Sequence, residues 1–207
     1  MVLERLAISQ NRRDELPNIE LAESLVEQED KEAIEGLVKG LKLKKEIAND
    51  CIKVLYEIGE RNPLLIAEHV HAFLDELMSR NNRMVWGAMT ALATIAEYKA
   101  DEIYAQIDKV NSAYKNGSVI TVDNSISVFA NLGKNNQHYR KELFPFLITH
   151  LETCRPKEVA QHAERISVCV DPNNFRQFQT TLENRKPLLT SAQTKRIDKL
   201  LRSLNSK

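Results

Sequence analysis

Histidine, cysteine and tryptophan are where chemistry could reside in this 207-residue chain, which holds five, three and one of them. A metal ion needs imidazoles, thiolates or carboxylates converging within bonding distance. His69 and His71 are two residues apart in a stretch that reads as helix, so they point about 200° apart round its axis and cannot share an ion. His138, His150 and His162 fall on different predicted elements, and the expectation is no metal and no cofactor. Cys51, Cys154 and Cys169 are odd in number and widely spaced, each in a predicted helix, with Cys154 near an end. They read as small packing residues in a reducing compartment rather than as disulfides or nucleophiles. The chain holds no G-x-S-x-G elbow, glycine-rich phosphate loop or H-E-x-x-H pair, so no catalytic residue is assigned. Trp86 remains, of the type most often found at interface hot spots.

These residues sit on elements that composition already narrows. Hydrophobic residues make up 43% and charged residues 28%, the balance of a folded soluble protein. With 6 Gly, 6 Pro and no turn-bounded β-branched alternation, the chain reads as all-helical. No apolar window approaches the roughly 20 residues of a membrane span, and Met1 to Arg13 is charged early with no apolar signal core. The cytoplasm is the expected compartment.

The helices repeat. Shifted by 37 residues, Ile52, Met89 and Ile126 superimpose, as do Leu55, Leu92 and Phe129, then Ile58, Ile95 and Leu132, and Val70, Ile107 and Phe144. Gly59, Ala96 and Gly133 follow the same register, just before Glu60, Glu97 and Lys134. A unit of this length cannot bury its apolar face without a neighbour. Boundaries at the polar positions give units 24–60, 61–97, 98–134, 135–171 and 172–207. The expected organisation is one domain, 1–207, with an N-terminal capping helix region (1–23), four regular units (24–171) and a degenerate C-terminal capping unit (172–207).

In the second unit, Pro63 opens a helix carrying Ile66, Val70, Phe73, Leu74 and Leu77. The polar run Ser79 to Arg83 then turns the chain into a second stripe, Val85, Ala88, Met89, Leu92, Ile95 and Ala96. The third unit repeats this with Ile103, Ile107 and Val110, a turn at Asn116 and Gly117, which tolerate positive φ and would reverse the chain, and then Val122, Ile126, Phe129 and Leu132. Pro145 inside the fourth unit's first stripe should kink that helix. Gly36 and Gly40 lie within a stripe and read as close-packing positions.

The segment Leu64 to Glu97 resembles a HEAT repeat, with an "LL..L…LL" first helix, a short polar turn and "V…A…AL..IA" in the second. The resemblance covers roughly 28–171 and implies an armadillo-type fold, an all-α, right-handed alpha-alpha superhelix (solenoid) of about five HEAT-like helical hairpins of about 37 residues. The arginine that often opens the family's second helix is replaced by Trp86 and Asp123, so the family's polar ladder is not carried over. Second helices are implied to line a concave face. Its outward rows would be Lys53, Thr90, Ser127, Glu164; Asn49, Trp86, Asp123, Ala160; and Asp50, Gly87, Asn124, Gln161.

Those rows are mixed and polar, whereas a groove tracking nucleic acid is rich in Lys and Arg. The function expected is therefore a non-enzymatic scaffold binding a protein or peptide partner through Trp86, Thr90, Lys53, Asp123 and Ser127. The alternative is a DNA-binding protein or DNA-repair glycosylase, since the bacterial alkylpurine DNA glycosylases are similar in plan; the single tryptophan and neutral face argue against it. The clusters Lys42, Lys44, Lys45 and Lys195, Arg196, Lys199, Arg202 read as solvated helix ends. Residues 1–60 carry 9 basic and 14 acidic groups and residues 151–207 carry 11 and 6, an asymmetry that would also suit head-to-tail self-association.

Overall fold

The computed structural model describes residues 2–205, which form twelve α-helices and six short 3-10 segments, with no strand among the described residues. No helix among them is long and apolar enough to cross a membrane. The chain divides into two compact units, Met1–Ser125 and Ile126–Lys207, a division that falls inside one helix.

The first unit holds α1 (Leu16–Gln28), α2 (Lys31–Gly40), α3 (Lys45–Arg61), α4 (Val70–Glu76), α5 (Asn82–Ile95), α6 (Ala100–Tyr104), α7 (Ile107–Asn116) and the start of α8 (Val119–Asn135). Asp30 caps α2 by accepting from the Ala33 N–H at 3.0 Å, and Asn81 caps α5 by accepting from Arg83 at 3.2 Å. α3 packs between α1 and α5, while α2 packs on α3 and α4 on α5. Second helices therefore stack on one another and carry the first helices on their other side.

The apolar register explains what is buried. Ile52, Leu55 and Ile58 on α3 and Met89, Leu92 and Ile95 on α5 are fully buried, each shedding apolar area that is worth about 25 cal/mol per Å². The same register reaches α1, where Asn18, Leu21 and Ala22 stand 37 residues before Leu55, Ile58 and Gly59 and are buried too. Asn18 breaks the apolar row for a reason: its Oδ1 accepts the buried Ala7 N–H at 2.9 Å. A Cβ on Gly40 would lie 2.5 Å from Cys51 Sγ and one on Gly36 2.9 Å from Val2 Cγ1, so both positions serve close packing, as their place in the stripe suggested.

One local expectation needs correction. The first helix of units 61–97 and 98–134 is not continuous. Pro63–Leu65 and Ala67–His69 are 3-10 turns ahead of α4, and α6 stops before α7. His69 (φ −95°, ψ 17°) and Gln106 (φ −122°, ψ 29°) leave helical geometry at the breaks, and Ile107 ends half-buried while Ile103 and Val110 are fully buried. The chain turns after α7 at Asn116 and Gly117 as expected, with Gly117 at φ −86°, ψ 176°. Its lack of a side chain matters sterically, since a Cβ would fall 2.5 Å from both the Ala113 carbonyl oxygen and Thr121 Cγ2. Among the described residues the left-handed positions are Asn11 (φ 55°) and Glu29 (φ 47°), which closes α1.

The second unit holds the rest of α8 with α9 (Gln137–Thr153), α10 (Pro156–Ile166), α11 (Phe175–Arg185) and α12 (Ser191–Asn205). α9 packs on α11 and α10 on α12, giving two layers around Phe129, Leu147, Ile166, Phe178, Leu182 and Ile197. Phe129 meets Phe146 edge to face, with centroids 5.1 Å apart. α9 runs on through Pro145, whose ring lies exposed, so the missing N–H falls on the solvent side.

Candidate functional site

On the first unit the second helices present a face built round Trp86. The indole is half-buried, its ring 5.6 Å from Tyr56 and tilted 53° to it, with the Arg83 guanidinium 5.7 Å from its centroid. Arg83 stands three residues before Trp86 on α5, one helical turn, while Tyr56 comes from α3. The indole is thus held by both stacked helices.

A run of alternating charges continues from this ring. Arg83 pairs with Glu15 at 2.5 Å, Glu15 with Lys53 at 3.2 Å, Lys53 with Glu57 at 2.5 Å, Glu57 with Arg61 at 2.5 Å and Arg61 with Glu23 at 3.0 Å. Three cations and three carboxylates leave no net charge. Burial works against the Lys53 ammonium, but Glu57, Tyr56 and Glu15 outweigh it and hold its pKa above the ordinary lysine range. Burial likewise pushes the Glu57 and Glu15 carboxyls up, and their cationic partners more than reverse this, so both lie below the usual carboxylate range.

The five expected partner-contact residues take different places. Trp86 is accessible at its edge, and Asp123 on α8 is half-buried. Lys53 is only 6% exposed, its ammonium held between Glu57 and Glu15 and 4.8 Å from the Tyr56 ring centroid, so it presents little charge to solvent. Thr90 is 8% exposed, and its hydroxyl donates to the Trp86 carbonyl at 2.8 Å while accepting from Asn124 Nδ2 at 2.8 Å. Asn81 Nδ2 donates to Asn49 Oδ1 at 2.7 Å in the same way, so amides tie neighbouring second helices together. In the second unit, Ser127 accepts from Arg165 at 2.5 Å. Sequence reasoning missed Tyr56, Arg83 and Glu15; helical spacing from Trp86 could have found Arg83, whereas nothing local marks Glu15.

The histidine expectation also changes. His69 and His71 stay apart, but His150 on α9 and His162 on α10 are brought together, Nε2 to Nδ1 at 2.8 Å, with Cys154 beside them. Different elements did not mean different sites. The thiols are poor nucleophiles: burial pushes Cys51 and Cys169 up to about 12 and Cys154 up to about 11.

No protein-family model matches the chain, and no curated protein sequence does. Solved structures match over nearly its whole length. A computationally designed armadillo repeat protein for modular peptide recognition aligns with TM-score 0.67 at 14% identity, covering 89% of this chain and 86% of its own. A designed armadillo repeat protein in complex with the peptide (KR)4 aligns at 0.64 and 16%, again covering 89% and 86%. An engineered protein from the Northeast Structural Genomics Consortium aligns at 0.64 and 17%, covering 99% and 95%. The fold is therefore an armadillo-type helical repeat, the fold class that the HEAT resemblance implied.

Proposed function

We propose that the protein is a non-enzymatic interaction scaffold that binds an extended segment of a partner protein across the second-helix face of the first unit, with Trp86 as its anchor. The observation that carries this reading is the bracing of one half-buried tryptophan between Tyr56 and Arg83, beside a run of ion pairs in which cations and carboxylates balance. A side chain fixed before binding loses little conformational freedom when a partner arrives. An extended segment brings unpaired backbone N–H and C=O groups, and the second helices of this unit carry the half-buried polar residues Asn49, Asp50 and Asn124. Designed relatives in fold are made to recognise peptides, which supports the same class of partner here. The cations of the face are each held by a carboxylate, which argues against a polyphosphate partner.

Selection of a random peptide display library on the immobilised protein, followed by calorimetric titration of recovered peptides, tests the proposal. Trp86→Ala should weaken recovered peptides by about 2 kcal/mol or more, the size of an interface hot spot. Equal affinity for the folded variant and the parent would remove the assignment.

A further inference from the structure

We infer that His150, Cys154 and His162 form a site for one zinc-class divalent cation that clips the end of α9 to α10. His150, Cys154, Glu158 and His162 follow one another at intervals of four residues. Four residues is just over one helical turn, so His150 shares a face of α9 with Cys154 at its cap, and Glu158 shares a face of α10 with His162. Between the pairs, Arg155 takes an extended conformation (φ −60°, ψ 140°) and Pro156 opens the next helix, which turns the two faces onto each other.

The ligand atoms meet there. His150 Nε2 and His162 Nδ1 are 2.8 Å apart, and these two with Cys154 Sγ all lie within 4.8 Å of one another. Metal–nitrogen bonds of about 2.0–2.1 Å and metal–sulfur bonds of about 2.3 Å place tetrahedral ligand atoms about 3.3–3.6 Å apart. The difference to be closed is under about 1.5 Å at each ligand atom.

The surroundings fit a cation held for structure. His150 is 6% exposed and His162 fully buried, so both imidazoles are already fixed in the core, with half-buried Cys154 at its margin. Two imidazoles and one thiolate form a donor set that suits zinc over the harder magnesium and calcium. Glu158, one turn before His162 on α10, is paired with Arg155. The competing arrangement is a histidine pair joined by one hydrogen bond that binds nothing.

The test is a cobalt(II) titration of the full chain after dialysis against a chelator. One equivalent should bind with a thiolate-to-cobalt charge-transfer band and intense tetrahedral d–d absorption, both lost on adding zinc, and zinc should raise the melting temperature. Cys154→Ser should abolish the charge-transfer band and weaken binding at least about tenfold. His162→Asn should behave likewise if it folds; Cys154→Ser, at a half-buried cap, carries the test if it does not. Absence of the thiolate band in the parent protein, or unchanged affinity in Cys154→Ser, would overturn the site and leave a simple hydrogen bond as the account of the pair.

Discussion

Leu92→Ala probes the stacking of second helices on which the face depends. Leu92 is fully buried on α5, in register with Leu55 on α3. Truncation removes three carbons, and at about 0.8 kcal/mol each the lost transfer free energy is about 2.4 kcal/mol. The void left between helices that cannot fully close brings the expected loss to about 3–5 kcal/mol. Leu64→Ala is the control, because Leu64 is 61% exposed and should move stability by no more than about 0.5 kcal/mol. Urea unfolding followed by far-ultraviolet circular dichroism reads both, and in a repeat protein the loss should fall first on the unit that holds the residue. A midpoint for Leu92→Ala no lower than that of Leu64→Ala would mean that the register is wrong.

Three further outcomes are expected. Lys53→Met should cost about 1–2 kcal/mol in urea, below the roughly 3–5 kcal/mol of a stranded buried charge, because Glu57 keeps Arg61 and Glu15 keeps Arg83. Because the Glu57 and Glu15 carboxyls titrate below their usual range, their contribution is present at neutral pH and is lost as pH falls from about 4.3 through their folded values; Lys53→Met should make the acid limb of a stability–pH curve shallower, and parallel limbs would contradict the network. Gly117→Ala should destabilise by about 1–3 kcal/mol despite an ordinary φ, since the new Cβ meets the Ala113 carbonyl, and a neutral effect on the melting temperature would refute that clash.

What the sequence made legible follows from what repeats. The rows through Ile52, Leu55 and Ile58 are buried as their spacing requires, and Trp86 lies at the core's edge, about 100° round the helix from Val85. What it hid depends on contacts between distant segments or on single dihedrals. Lys53 occupies a surface row and reads as exposed; it is buried and paired with Glu15, thirty-eight residues earlier. The breaks at His69 and Gln106 carry neither glycine nor proline, so periodicity ran straight across them. The four-residue spacing from His150 to His162 was open to inspection, but only the reversal at Arg155 and Pro156 makes it a cluster.

The face itself is tested most directly by nuclear magnetic resonance, because a single tryptophan gives a single indole N–H signal. Titration with a library-selected peptide should shift the Trp86 indole signal and the Asn124 side-chain amide together, saturating at one equivalent. Shifts confined to the first helices α4 and α7, with the indole unmoved at saturation, would contradict binding on the second-helix face.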